Sequence, residues 1–217
     1  VYMYSGTFIM NAGSLSGKAL KGSGGAVYVE HGIFTMNGGT VTGKAAETEK
    51  DNGSRGWAGH GGAVYNDGAT VIINGGTITS SSAVEGGGIY ANGGTLTIGK
   101  ANITDNTAAH GGGGIHAYNS ALTIDGATIT GNNGGDSLGG GVYASIIPKS
   151  SNGNGWVFEL SGKMNITGNS AEGVVNNLYL TERTQGLTLP TVTGLTAGSS
   201  IGVTTEVKPL KDGGTIA

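Results

Sequence analysis

The sequence predicts an all-β fold: a single-stranded, right-handed parallel β-helix (solenoid) of about seven rungs, with three short strands per rung. Three observations predict it. A glycine-led block ending in an aliphatic and a ring recurs along the chain. Two further strand signals follow each block at regular offsets. Thr, Val, Ile and Gly dominate these runs, which disfavours helix and suits stacked strands.

The first strand of each rung is the glycine-led block. Gly24-Gly25-Ala26-Val27-Tyr28 returns as Gly61-Gly62-Ala63-Val64-Tyr65, Gly86-Gly87-Gly88-Ile89-Tyr90, Gly112-Gly113-Gly114-Ile115-His116 and Gly139-Gly140-Gly141-Val142-Tyr143. Val1-Tyr2 opens the series and Leu178-Tyr179 closes it. The ring positions 2, 28, 65, 90, 116, 143 and 179 are separated by 26, 37, 25, 26, 27 and 36 residues. Seven copies at a base period near 25 mean stacked units that share one core, not independent domains.

The second strand is apolar at i and i+2: Phe8/Met10, Phe34/Met36, Val71/Ile73, Leu96/Ile98, Leu122/Ile124 and Phe158/Leu160. That alternation puts both residues on one face. The third strand holds one inward aliphatic between small polar residues: Leu15, Val41, Ile78, Ile103, Ile129 and Ile166. Asn11, Asn37, Asn74 and Asp125 recur at one corner, and Asn106, Asn132 and Asn169 at another, where their side chains suit turns and stacked amide ladders. The right-handed expectation rests on the strong bias of parallel crossovers. Seven rungs at the spacing of stacked strands make a rod about 30–35 Å long.

Two long steps in the period mark insertions near 44–60 and 145–156, within a β-helix spanning 1–186. Residues 187–217 read as a β cap or the start of a next module. The chain begins inside a repeat, without Met, and is read as a fragment of a longer chain.

Composition bounds the function. The 217 residues include 46 Gly and 3 Pro, which alone leans toward low complexity. Yet 36% are hydrophobic and the net charge is only −3, so there is a core to bury and little self-repulsion. With no Cys, disulfides, thiolate metal sites and a Cys nucleophile are excluded. No basic run suits nucleic acid, and no apolar stretch reaches the ~18 residues of a membrane span.

If the aliphatics of the first strand point inward, Tyr28, Tyr65, Tyr90, His116 and Tyr143 point outward. Beside them Ala26, Ala63, Gly88, Gly114 and Gly141 form a nearly bare backbone strip. The pair of rows is a candidate platform for a sugar or peptide; equally, the rings stabilise the sheet by stacking on their neighbours. Thr40/Thr42, Thr77/Thr79, Asn102/Thr104 and Thr128/Thr130 form a second outward row that resembles the arrays of ice-binding β-helices, although Thr is favoured on any exposed strand face. His60, Glu85 and His110 fall near one corner of consecutive rungs. Metal binding or acid–base work is weighed there against a solvated corner, and no metal or cofactor is assigned. Glu30 and Asp67 are weighed as a Ca²⁺ pair against a solvated loop pair. Trp57 and Trp156, both inside the insertions, are candidate binding anchors, because irregular loops on a regular rod are where recognition usually resides.

The blocks and the following Phe34-Thr35-Met36-Asn37-Gly38-Gly39-Thr40-Val41-Thr42-Gly43 or Leu122-Thr123-Ile124-Asp125-Gly126-Ala127-Thr128-Ile129-Thr130-Gly131 resemble the repeats of large bacterial cell-surface, adhesin-like β-helix proteins. They are also similar to the GGA(I/V) and FxxN repeats of chlamydial polymorphic outer-membrane proteins. Phe8-Ile9-Met10-Asn11 and Phe34-Thr35-Met36-Asn37 match FxxN, whereas Val71, Leu96 and Leu122 depart from it. The resemblance covers roughly 1–180. It implies an extracellular, surface or secreted, non-enzymatic stalk or scaffold, with a host or cell-wall glycan or protein as partner. The alternatives are a carbohydrate-binding or carbohydrate-active β-helix, related to lyases or tail spikes, and an ice-binding protein. Against an enzyme stands the lack of the clustered Asp, or Ca²⁺ site with a basic residue, that β-helix lyases and hydrolases need. The only arginines are Arg55 and Arg183, both in irregular segments.

Overall fold

A computed structural model describes residues 1–19, 22–45, 59–136, 138–145, 157–183, 186–187 and 191–205. The described residues contain no helix; apart from two short antiparallel pairs, Ser170–Ala171 with Val174–Val175 and Glu182–Arg183 with Gly186–Leu187, their strands form three parallel sheets wound around one core. The chain is a parallel β-helix.

Each turn contributes a strand to each sheet in the same order, and Ser82–Ala83 and Thr107–Ala108 extend the third sheet beside Thr40–Lys44. The first sheet stacks Tyr2–Met3, Val27–Val29, Val64–Asp67, Ile89–Asn92, Ile115–Tyr118, Val142–Ser145, Leu178–Leu180 and Val203–Thr205. The second runs from Thr7–Met10 through Ile33–Met36, Thr70–Ile73, Thr95–Ile98, Ala121–Asp125 and Phe158–Gly162 to Thr191–Leu195. The third runs from Ser14–Lys18 through Thr40–Lys44, Thr77–Thr79, Asn102–Thr104, Thr128–Thr130 and Asn165–Thr167 to Ser200–Ile201. Residues 191–205 therefore add a further member to every sheet, with a shift of register between Leu160 and Gly162 where Thr191–Leu195 joins the second.

Register is set by what points inward, because a one-residue slip would turn the whole apolar row to solvent. Val27 pairs with Val64, Ile89 with both Val64 and Ile115, and Val142 with Leu178. Phe8 pairs with Phe34, and Leu122 with Phe158. Val41, Ile78, Ile103, Ile129 and Ile166 form one unbroken row. Of these inward residues all but Phe8 are buried, and the rows meet in one continuous cluster. Each fully buried Val, Ile or Leu contributes roughly 1.5–3 kcal/mol relative to exposure.

The glycine block has a division of labour, clearest at Gly86-Gly87-Gly88. Gly86 has φ +63°, and a Cβ there would lie 2.5 Å from the Ile89 carbonyl oxygen. Gly87 needs space rather than freedom: a Cβ would sit 2.5 Å from the backbone of both Gly113 and Thr107. Gly88 faces the third sheet, where a Cβ would stand 3.2 Å from the Asn106 amide and 2.6 Å from the Gly114 carbonyl oxygen.

The third block position is complementary in size to the residue it faces. Gly114 meets Asn132 and Gly141 meets Asn169 in the same way. In the earlier turns the third position is Ala26 or Ala63, and the facing residue is Gly17 or Gly43, whose Cβ would approach those alanines to 3.0 Å. Glycine faces asparagine, and alanine faces glycine. The two block variants are two solutions to one packing constraint.

The asparagines form two ladders. The inner one is buried. Asn106 Nδ2 donates to Asn132 Oδ1 at 2.9 Å, Asn132 Nδ2 to Asn169 Oδ1 at 2.9 Å, and Asn169 Nδ2 to Asn177 Oδ1 at 3.0 Å. The same oxygens accept the backbone N–H of Asn106, Asn132 and Asn169. The outer ladder, Asn74 to Asn37 to Asn11 at 2.8 Å each, is exposed.

The first insertion leaves and re-enters the rod at one place. The Ala45 N–H donates to the Ser82 carbonyl, and the Val84 N–H donates to the Gly59 carbonyl. Two residues that span Ser82–Val84 on the next turn thus hold both ends. The second insertion departs after Ser145, at the end of a first-sheet strand, and the chain returns at Phe158 in the second sheet.

Candidate functional site

The outward row of the first sheet is a continuous ring column. Strand register places Tyr2, Tyr28, Tyr65, Tyr90, His116, Tyr143 and Tyr179 one above another. Successive centroids are 5.3, 4.9, 5.6, 4.8, 4.5 and 5.6 Å apart. Tyr65–Tyr90 and Tyr143–Tyr179 are stacked, at 16° and 20°, and the other four pairs are tilted by 41–47°, within the geometry that aromatic pairs prefer.

Of the two readings of the outward row, an open platform and a stack that stabilises the sheet, the burial of the rings supports the stack. Tyr65, Tyr90 and His116 keep only 8%, 8% and 6% of their surface, and Tyr28 and Tyr143 are half-buried. The ring faces are used by the rings above and below. His60 adds a lateral cover, with its imidazole 4.5 Å from Tyr90 and 6.2 Å from Tyr65. The neighbouring strip is not bare either. Ala26, Ala63, Gly88, Gly114 and Gly141 are buried, and the last three lie under the inner asparagine ladder.

The phenol oxygens are tied down by residues two places beyond the next ring. Tyr2 donates to Glu30 Oε2, and Tyr28 donates to Asp67 Oδ2 at 3.0 Å. Asn92 Nδ2 reaches Asp67 Oδ1 at 3.3 Å. Glu30 and Asp67, weighed from sequence as a Ca²⁺ pair, each latch one turn to the next. Burial, then the Asp67 hydrogen bond, push the Tyr28 phenol well above its ordinary value.

Of His60, Glu85 and His110, the first two meet at one corner of the column. His60 and Glu85 form a bridge between turns, and His60 Nδ1 lies 3.2 Å from Glu85 Oε2, a close contact and not a well-aligned hydrogen bond. His110 instead pairs with Asp136. Burial alone would raise the Glu85 pKa; His60, with smaller contributions from His116 and His110, outweighs it and leaves the carboxyl below its usual range. Burial, then the Glu85 charge, raise the Tyr90 phenol. His116 is pushed down to about 4, first by burial and then by His60, against the opposing pull of Glu85. Its Nδ1 is buried without a hydrogen-bond partner. Among the described residues, no three His, Cys, Asp or Glu side chains are grouped to hold a metal ion.

The threonine row is regular but short. Thr77/Thr79, Asn102/Thr104 and Thr128/Thr130 are in register, and Thr104 Oγ1 donates to Thr79 Oγ1 at 3.3 Å. The threonines of this row are half-buried. Trp57 and Trp156 lie outside the described residues.

Sequence reasoning brought the ring row and the His60/Glu85 corner together. It missed the tyrosine-to-carboxylate latches, although their signal was present: Glu30, Asp67, Asn92 and Tyr118 stand at the same place, two residues after each ring. Comparison with protein-family models, curated proteins and solved structures finds no match.

Proposed function

We propose that the chain is a non-enzymatic segment of a bacterial adhesin-like protein, displayed on the cell surface or secreted. It acts as a stalk that holds ligand-contacting loops toward a host or cell-wall glycan or protein. One observation supports this reading most: the regular outward rows of the first sheet are consumed by contacts between turns. Rings bind rings, phenols bind carboxylates, and the asparagine ladder covers the glycine strip. Recognition is thereby left to the irregular insertions, where Trp57 and Trp156 are the assigned anchors.

Both insertions border the first sheet. One ends where the chain enters it at His60, and the other begins where the chain leaves it at Ser145. They are separated by roughly three turns, or about 15 Å along the rod.

The test compares the full chain with Trp57→Ala and Trp156→Ala variants on arrays of glycans and matrix proteins. Selective binding that weakens in either variant is the expected result. Release of unsaturated uronate or reducing ends from a polysaccharide panel would establish an enzyme instead. Thermal hysteresis abolished by Thr77→Tyr would establish ice binding.

A further inference from the structure

We propose that the ring column is a one-electron conduit, along which an oxidising equivalent placed on one tyrosine migrates through stacked rings to Tyr28 and Tyr2. This goes beyond the display role and does not depend on it. Two features carry it: the unbroken ring contacts and the placement of proton acceptors.

Every neighbouring pair of rings in the column has a centroid separation of 4.5–5.6 Å. Electron tunnelling falls exponentially with the gap between donor and acceptor, so hops between rings in contact dominate any other route through the rod. A phenol must also lose its proton when it is oxidised, because the radical cation is a strong acid. Tyr2 and Tyr28 donate to Glu30 and Asp67, and Glu85 lies by the Tyr90 hydroxyl. The proton therefore moves a fraction of an ångström while the electron leaves.

The step balances with an oxygen radical, ROO•, as the one-electron oxidant. ROO• takes one electron from the phenol and becomes ROO⁻, which is protonated by water. The phenol proton passes to the bound carboxylate, leaving a neutral tyrosyl radical. The next tyrosine returns an electron to that radical, the stored proton goes back to the first oxygen, and the second phenol passes its own proton to a carboxylate at Tyr90, Tyr28 and Tyr2 and to water at the other tyrosines. His116 is the one ring that is hard to oxidise. It lies 4.8 Å from Tyr90 and 4.5 Å from Tyr143, and serves as a bridge across which the electron tunnels.

The absence of cysteine makes the test clean. Thr204 pairs with Tyr179 in the first sheet. A Thr204→Cys variant, with Trp57→Phe and Trp156→Phe to remove competing indoles, is labelled with a ruthenium polypyridyl. The label is flash-oxidised to ruthenium(III) in the presence of a nitroso spin trap. Adducts are then located by mass spectrometry. Tyr4 is the internal control: it is as exposed as Tyr2, 64% against 65%, but its ring packs at a tilt on His31 and not on the column.

The expected result is adduct on Tyr2 and Tyr28 in excess of Tyr4. Tyr65→Phe with Tyr90→Phe keeps the ring packing but removes two redox stations, and should abolish that excess. His116→Tyr, which fills the gap, should raise it. Adduct on Tyr2 that survives the double Phe variant, equal adduct on Tyr4, or adduct confined to Tyr143 and Tyr179 would each overturn the proposal. Circular dichroism of each variant establishes that the sheets are intact.

Discussion

At the residue scale, the side chains that look most like a binding surface are the ones most committed to the fold. Asn132 shows this. Its amide nitrogen donates to Asn169 Oδ1 and to the carbonyls of Ile103 and Thr130, while its oxygen accepts from Asn106 twice. Asn132→Ala would leave a buried N–H and two buried carbonyls under-satisfied, at a cost of about 2–4 kcal/mol in a urea melt. Asn37→Ala on the exposed ladder loses bonds that water replaces and should cost less than about 1 kcal/mol. Equal costs at the two positions would contradict this difference. Glycine positions separate in the same way. Gly87→Ala drives a Cβ into backbone on two sides and should cost several-fold more than Gly68→Ala. Gly68 has nothing within 4 Å and only its φ of +71° to lose, a penalty of about 1 kcal/mol.

At the element scale, the first-sheet column carries a buried imidazole where the other turns carry phenols. The sign of its pH effect follows from burial. His116 titrates near 4 in the fold and near 6.5 when unfolded, so the unfolded chain binds more protons between those values. Stability is then complete above about pH 6.5 and falls as pH drops toward 4, by up to about 3 kcal/mol. Glu85, which faces His116 and opposes its shift, has a lowered pKa of its own and adds loss in the same direction at lower pH. Urea midpoints from pH 7 to pH 4 should show this slope, and His116→Tyr should flatten its upper part, since a phenol stays neutral throughout. An unchanged slope in that variant would assign the effect to other groups.

At the scale of the whole molecule, the rod tolerates interruption because each turn contacts only its neighbours. Lys44 pairs with Ser82 and His60 bridges to Glu85, so Ala45 and Gly59 occupy the places that Ala83 and Val84 hold one turn later. Deleting residues 46–58 joins Ala45 directly to Gly59 at the spacing of an uninterrupted turn. The deletion variant should keep the β-sheet dichroism and melt within a few degrees of the full chain. Under the proposed function it should also lose part of its ligand binding.

The sequence by itself determined the architecture. The period, the inward rows and their register are legible because a β-helix repeats one local rule. Apolar alternation has only one register that buries every row, and glycine blocks mark each turn where the chain changes direction. The outward direction of the rings was equally legible, from the same alternation. Only the tertiary structure decided whether those rings and their glycine strip are open to a ligand. Exposure depends on what lies across the row from residues far apart in sequence: His60 over Tyr90, Asn106 over Gly88, Asp67 on Tyr28. No period within one turn encodes those contacts. They arise from how one turn's corner covers another turn's strand, and they bury the middle of a stripe that reads as a surface, at Tyr65, Tyr90 and His116.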